Sequence, residues 1–246
     1  NHILFFAGDH GPADSWYARP FPCPNPDVPD WANPSCMNRM IIYAMYPGLY
    51  EWSKHFGCKV CLQPGKDIRM PSSDFDRPEI WEAAADASML TWTEYNKLER
   101  NTEFAFEGHL PPLKGDSVNW FDIAGRSQLH AFTGLPNWKV GSYSDGDDAS
   151  WMRKTVFCYN PLGRYGGDSL RYVTASIYGC ITVWIANQGY LTRPYADIIP
   201  WDEISVTIPV EDVHRMPEIL AGISEEEREK MFLRMKEYVS YLFWGE

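Results

Sequence analysis

The chain lacks any apolar run long enough to cross a bilayer, and it carries a clear deficit of positive charge. Its 246 residues include 22 lysines and arginines against 33 aspartates and glutamates, which gives a formal net charge of −11 at pH 7. A membrane-spanning helix needs about 20 consecutive apolar residues, and a nucleic-acid-binding domain typically presents a basic face. We therefore expect no nucleic-acid partner, while a local basic pocket stays compatible with this balance of charge.

Two common signatures of phosphate binding are also missing. The glycines between positions 163 and 167 are not spaced as in the G-x-G-x-x-G dinucleotide fingerprint, and no Gly-Lys-Ser/Thr of a P-loop occurs. Standard hydride-transfer and kinase motifs are likewise absent, which argues against those enzymes. The chain has no Asn-x-Ser/Thr glycosylation sequon, because Pro34 interrupts the match at positions 33–35.

One βαβ unit is the most informative part of the chain. The apolar segment Thr155–Tyr159 predicts a strand, a loop with three glycines follows, and Asp168 and Ser169 are good N-cap residues for a helix of about ten residues. Gly179 ends that helix, and Cys180–Ala186 predicts a second strand, so the unit belongs to a parallel sheet. Such a loop suits a phosphate, since it exposes backbone N–H groups beside a positive helix end. Glycines that merely form turns are an equally good interpretation.

The rest of the chain also alternates between strands and helices, which indicates the α/β class with parallel sheets. Further strands are predicted at the apolar segments Ile3–Ala7, Thr102–Phe106 and Trp138–Tyr143. Pro78 begins a predicted helix that runs to about Leu98. Ser224 and Glu227 form a capping-box pattern before a last helix, whose apolar stripe is interpreted as core.

An ordered series of motifs runs through this framework. In and after the βαβ unit it comprises Phe157-Cys158, Pro161-x-Gly163, Ser169-x-Arg171, Gly179-Cys180 and Pro194. Upstream it comprises the segments 2–11, 66–71 and 100–108, which read HILFFAGDHG, KDIRMP and RNTEFAFEG. In content and order the series resembles the exostosin-type glycosyltransferases, glycosyltransferase family 47, across nearly the whole chain.

The resemblance implies a GT-B-like fold of two Rossmann-like domains, the first of them incomplete in this chain. We expect a partial acceptor-side α/β domain at residues 1–98, a nucleotide-sugar-binding Rossmann-like domain at residues 99–225 and a C-terminal helix at residues 226–246. Such an enzyme is an inverting transferase that moves a sugar from a nucleotide donor, expected to be a UDP-sugar, to a glycan or glycoprotein acceptor. No tightly bound cofactor and no metal are implied, and assembly into hetero- or homo-oligomers is compatible with the family.

The family also implies a location. Its members are type II membrane proteins, so we expect a Golgi-lumenal protein in full length, of which this chain is a part, with a secreted or cell-surface location as the alternative. Sugar transfer there requires that the diphosphate leaving group be stabilised and that the acceptor hydroxyl lose its proton.

Donor binding is assigned chiefly to the Gly-Gly-Asp-Ser turn at residues 166–169 and to Arg171, because arginine pairs bidentately with phosphate oxygens. The candidate donor-binding residues are Arg126, Gly163, Arg164, Gly166, Gly167, Asp168, Ser169, Arg171, Thr174 and Asn187. The alternative role for Arg171 is that of a surface helix residue or a partner in a structural ion pair. For the catalytic base we select Asp9 and His10, which follow a strand, as ligand contacts do in open α/β sheets, and histidine has a suitable pKa. A simple turn is the alternative for this pair.

Two positions depart from the family pattern. Many members carry an acidic residue where this chain has Thr174, and an aspartate where it has Asn187. A lost carboxylate removes hydrogen bonds to a ribose or sugar hydroxyl, so either the donor differs or the domain binds without turnover. The alternative function is therefore a non-catalytic glycan- or nucleotide-binding module in a larger extracellular assembly.

The six cysteines form an even set, which in a protein of secretory type suggests disulfides. Cys158 and Cys180 end and begin neighbouring strands of the βαβ unit and are the pair we expect first. Cys23 with Cys36 would close a proline-rich loop.

Metal-binding patterns in the sequence are weak. Cys58-x-x-Cys61 fits a surface disulfide or free thiols better than half a zinc site, because no second Cys-x-x-Cys exists. The acidic segment at residues 145–148 is interpreted as a solvated loop.

Overall fold

The computed structural model describes residues 2–6, 40–44, 68–69, 91–97, 99–111, 125–141, 149–161, 171–186 and 193–242, and in the first three of these segments the backbone alone. The strands in this part of the chain are β1 His2–Phe6, β2 Met40–Ala44, β3 Ile68–Arg69, β4 Thr102–Glu107, β5 Trp138–Gly141, β6 Thr155–Asn160, β7 Ile181–Ala186 and β8 Ser205–Pro209. The α-helices are α1 Trp92–Lys97, α2 Arg171–Ile177, α3 Trp201–Ile204, α4 Met216–Ala221 and α5 Glu225–Tyr238. Short 3₁₀ helices lie at Arg126–Phe132, Ala149–Lys154, Val210–Arg215 and Val239–Leu242.

The strands form two parallel sheets. One has the order β1-β2-β3, and the other has five strands in the order β5-β4-β6-β7-β8. Every described pairing is parallel. The predicted α/β class with parallel sheets is therefore confirmed, whereas the domain boundaries at residues 98 and 225 stay predictions.

The five-stranded sheet is covered on both faces, which explains why its central strands read as nearly continuous apolar runs. Alternate residues of β7 enter different cores, because successive side chains of a strand point to opposite faces. Val183 packs with α4 and the 3₁₀ helices Arg126–Phe132 and Val210–Arg215 in one core, and Trp184 packs with α1, α2 and α5 in the other. Both residues are fully buried.

The predicted βαβ unit is present as β6, α2 and β7. Gly179 adopts a left-handed φ of 68° and ends α2, with a hydrogen bond from Cys180 N–H to the Ala175 carbonyl at 2.8 Å. This is the Schellman arrangement that favours glycine. The expected disulfide between Cys158 and Cys180 is confirmed, with a Cα–Cα distance of 5.8 Å. The pair Cys23 and Cys36 lies outside the described residues.

The last helix matches its sequence signals. The Ser224 hydroxyl accepts from the Glu227 N–H at 3.2 Å, and the Glu227 carboxylate accepts from the Ser224 N–H at 2.8 Å, so the capping box is confirmed. Phe232 and Met235 are buried against the sheet. Among the described helices, none combines the length and apolarity that a membrane crossing requires.

Some elements differ from the sequence predictions. β3 lies at Ile68–Arg69, and β8 follows a single-turn helix at Trp201–Ile204, although neither short strand was predicted. The N-terminal strand is shifted by one residue relative to its prediction and spans His2–Phe6. The described part of the long predicted helix before residue 98 is α1.

Candidate functional site

The candidate site lies at the carboxyl edge of the five-stranded sheet. Because its strands are parallel, their carboxyl ends lie along one edge, where open α/β sheets bind ligands. β4 ends there at Glu107, and β6 ends there at Asn160. The contacts below bring Arg126, the first residue of a 3₁₀ helix, and Arg171, the first residue of α2, to this edge.

Two arginines from separate elements converge on one aromatic ring. The guanidinium carbon of Arg171 lies 5.4 Å from the centroid of the Phe106 ring, and that of Arg126 lies 5.7 Å from the same centroid. A cation near an aromatic face is attracted by the ring quadrupole. Arg126 is only 6% exposed and donates from Nη1 to the carbonyl oxygen of His109 at 3.4 Å. The structure therefore brings together two of the predicted donor-binding residues.

Gly108 lets the backbone approach this arginine pair closely. A Cβ atom at this position would lie 2.9 Å from Cζ of Phe106 and 3.0 Å from Nη2 of Arg171. The first distance is shorter than Cβ contacts in proteins, and the second is tighter than nearly all of them. A larger residue at position 108 would therefore displace Arg171 or the ring on which it rests.

Asn160 holds the start of α2. Its Oδ1 accepts a hydrogen bond from the backbone N–H of Tyr172 at 3.0 Å, and the Asn160 side chain is buried. An asparagine oxygen satisfies a helix-terminal N–H well. Sequence reasoning did not single out this residue. The available signal was an asparagine at the end of an apolar strand, directly before the Pro-x-Gly loop.

Thr174 and Glu107 are two further buried residues near this edge. Thr174 lies one turn after Arg171 on α2 and is 8% exposed. Residues three apart share a helix face, so Thr174 follows Arg171 along α2. Glu107, also buried, forms an ion pair with Lys139 of β5 and was not predicted.

The remaining predicted site residues lie outside the described residues: Asp9, His10, Gly163, Arg164, Gly166, Gly167, Asp168, Ser169 and Asn187. Their roles stay predictions. In the part of the chain that the structure describes, no cluster of three or more histidine, cysteine, aspartate or glutamate side chains is arranged to hold a metal ion.

Sequence relatives of the chain are named as glycosyltransferases. A protein of Oryza sativa subsp. japonica named "Probable glucuronosyltransferase" is 47% identical over 72 residues, which are 29% of this chain and 16% of that protein. A protein of Arabidopsis thaliana named "Probable beta-1,4-xylosyltransferase" is 41% identical over 75 residues, 30% of this chain and 18% of that protein. One of Physcomitrium patens named "Probable glucuronosyltransferase 47 A" is 41% identical over 76 residues, 31% of this chain and 16% of that protein.

These matches confirm the resemblance to the exostosin-type glycosyltransferases of family 47 over a partial region. The matched segments span 16% to 18% of the length of these three relatives. No family model matches the chain.

Solved glycosyltransferase structures show a distant overall likeness. WaaG, a glycosyltransferase involved in lipopolysaccharide biosynthesis, is 12% identical with a TM-score of 0.44, covering 97% of this chain and 70% of that one. A glycosyltransferase from Rickettsia africae is 10% identical with a TM-score of 0.45, covering 91% and 64%. Anabaena HepE in complex with UDP is 11% identical with a TM-score of 0.44, covering 82% and 59%. A likeness of this degree assigns no role to any residue here.

Proposed function

We propose that the protein is an inverting glycosyltransferase that moves a sugar from a UDP-sugar to a glycan or glycoprotein acceptor. The observation that carries the proposal is the convergence of Arg126 and Arg171 on Phe106 at the carboxyl edge of the sheet. The sequence relatives, named as glucuronosyltransferases and a xylosyltransferase, support the class of reaction.

The two arginines suit the leaving group of this reaction. In an inverting transfer, the acceptor oxygen forms a bond to the anomeric carbon while the bond to the diphosphate oxygen breaks, and a base takes the acceptor proton. Negative charge therefore grows on the diphosphate, and positioned cations that meet it lower the barrier. Arg126 is nearly buried, so solvent screens its charge little. We propose Arg126 and Arg171 as this cationic pair.

Two neighbours keep Arg171 in place for such a role. Asn160 fixes the first turn of α2 through the Tyr172 N–H. Gly108 leaves the space that the Arg171 guanidinium occupies against Phe106. Positioning of this kind matters because small displacements of a catalytic group cost large factors in rate. We retain Asp9 and His10 as the proposed base, and the Golgi lumen of a type II membrane protein as the proposed location.

A non-catalytic binding module is the second candidate. It is favoured by Thr174, a buried neutral residue on α2 at the place where many members of the resembled family carry an acid. In that case the same edge would bind the nucleotide, and transfer would be absent.

Calorimetric titration with UDP, and with GDP as the control nucleotide, tests the donor site. We expect UDP to bind and Arg171→Ala to weaken binding by about tenfold or more, because a hydrogen bond to a charged group contributes roughly 1.5–3 kcal/mol. Arg234→Ala is the matched control, since Arg234 is half-buried and pairs with Glu203 and Glu237 on another part of the fold. Equal UDP affinity in Arg171→Ala and the parent protein would remove Arg171 from the site, and no binding of either nucleotide would reject the donor proposal. UDP binding without transfer from any UDP-sugar would favour the module.

A further inference from the structure

A pocket of about 240 Å³ opens at the opposite edge of the five-stranded sheet. Its wall includes Arg100, two residues before β4, and Val156, the second residue of β6, so it lies at the amino ends of these strands. A six-residue strand spans about 20 Å at 3.3 Å per residue. The pocket is therefore separate from the edge that carries Arg126 and Arg171.

One wall of the pocket is aromatic. The rings of Trp92 and Tyr95 are stacked, with centroids 4.8 Å apart and an interplanar angle of 16°. The Tyr95 ring also packs on Phe232 of α5 at 4.2 Å, which anchors this wall to the core. A flat apolar wall suits the face of a single ring, and the pocket is smaller than the roughly 300 Å³ at which pockets take drug-sized ligands.

The pocket also carries an excess of positive charge. Arg100 and Arg228 both line it, and neither guanidinium forms an ion pair within the described residues. Burial lowers the pKa of Arg100 to about 10, so this group stays charged at neutral pH. Glu225, a carboxylate on the wall, accepts a hydrogen bond from Asn96 at 3.2 Å. The lining therefore carries two positive charges and one negative charge, and the carboxylate already accepts a hydrogen bond from Asn96.

Three buried hydrogen-bond donors in this lining lack an acceptor. In the described part of the chain, the hydroxyl of Tyr95, the Nε of Arg100 and the Nε of Arg228 are buried without a hydrogen-bond partner. Tyr95 is 2% exposed. Buried polar groups are nearly always satisfied, and each one left unpaired is costly. These three atoms have almost no accessible surface, so the groups of this lining that an anion in the open pocket can meet are the terminal nitrogens of Arg228.

We propose that this pocket binds a small organic carboxylate that carries one ring, either a sugar acid or an aromatic acid. The carboxylate accepts hydrogen bonds from the terminal nitrogens of Arg228, beside the positive charge of Arg100, while the ring packs against Trp92. This site is independent of the donor site proposed above, because it lies at the other edge of the sheet.

Ligand-observed NMR titration of the full chain tests the proposal with four probes. Glucuronate and benzoate represent the sugar acid and the aromatic acid, glucose is the neutral ring, and inorganic phosphate is the anion without a ring. We expect at least one ring acid to bind, glucose not to bind, and phosphate to bind more weakly. Saturating UDP should leave the affinity for the ring acid unchanged.

Variants separate the charge from the ring. We expect Arg228→Gln to weaken binding of the ring acid about tenfold and Arg228→Lys to recover part of that loss. Trp92→Leu should weaken binding of the ring acid but leave binding of phosphate unchanged. Arg234→Gln, on the same helix, is the matched control and should change nothing. Binding of neither ring acid, or binding that Arg228→Gln leaves intact, overturns the proposal, and so does phosphate binding more tightly than both ring acids. None of these failures would affect the outcome of the UDP titration.

Discussion

The two edges of the five-stranded sheet use arginine differently. At the amino edge, Arg100 donates to the carbonyls of Met152, Thr155 and Tyr178, and its guanidinium lies 3.8 Å from the Tyr95 ring centroid. At the carboxyl edge, Arg126 and Arg171 rest against Phe106. The terminal nitrogens of Arg100 thus hold the fold together, whereas the carboxyl-edge arginines face the side where parallel sheets bind ligands. Residue type alone does not distinguish these roles, but the edge of the sheet at which each arginine lies does.

Removing Arg100 should have the largest effect on stability. Arg100→Met leaves three backbone carbonyls without their donor, so we expect the free energy of unfolding to fall by about 4 kcal/mol. Urea unfolding measures the change, and Arg153→Met, at an exposed position, is the control with less than about 0.5 kcal/mol expected. A loss below about 1 kcal/mol for Arg100→Met would contradict the structural role assigned to this residue.

Removing the disulfide should come next. It closes a sequence separation of 22 residues between buried Cys158 and Cys180, for which loop-closure entropy predicts about 3 kcal/mol. We expect the Cys158→Ala, Cys180→Ala double variant to unfold at lower urea while the folded protein keeps its UDP affinity. Two results would contradict this purely stabilising role of the disulfide. One is a double variant as stable as the parent protein, and the other is a folded double variant that has lost its UDP affinity.

Asn160→Ala should affect both properties, because Asn160 lies at the carboxyl edge. Loss of a helix-capping side chain costs about 1–2 kcal/mol, and release of α2 should also weaken UDP binding. Asn101→Ala, exposed just before β4, is the control for both measurements. If Asn160→Ala lowers stability but leaves UDP affinity unchanged, the residue does not position Arg171.

Ser224→Ala should have the smallest effect and should leave both edges intact. The variant removes the capping box of α5, which contributes about 1 kcal/mol. Thermal unfolding should show this loss with no change in UDP affinity. Threonine at position 224 should restore most of the stability, and failure of that rescue would indicate that the hydroxyl does not cap the helix.

The parts of the fold that were predictable from sequence rest on local signals. β6 and β7 are nearly continuous apolar runs, β4 carries the apolar segment Phe104–Phe106, Gly179 ends a helix, and Ser224 with Glu227 forms a capping pattern. β8 was missed because it is a five-residue edge strand, SVTIP, too short for its alternation of polar and apolar residues to stand out, and a proline ends the run.

The contacts of the candidate site were less predictable because they are long-range. Arg126 and Arg171 were selected individually, but their meeting at Phe106 follows from the order of strands in the sheet. The hydrogen bond between Asn160 and Tyr172 depends on how the intervening loop returns to the strand end. Neither contact leaves a pattern in the sequence itself.

The same Asn160 hydrogen bond bears on the conformational entropy of ligand binding. It joins two residues twelve apart in the chain, and the disulfide joins two residues further out on either side. The ends of the glycine-rich segment are therefore held together in the folded protein, whatever path the segment takes between them. Ends that are already joined leave fewer conformations to lose when a ligand binds. Affinity at this edge should accordingly depend on the inner of the two contacts, the Asn160 hydrogen bond, which never touches the ligand and still joins the ends of the segment when the disulfide is removed.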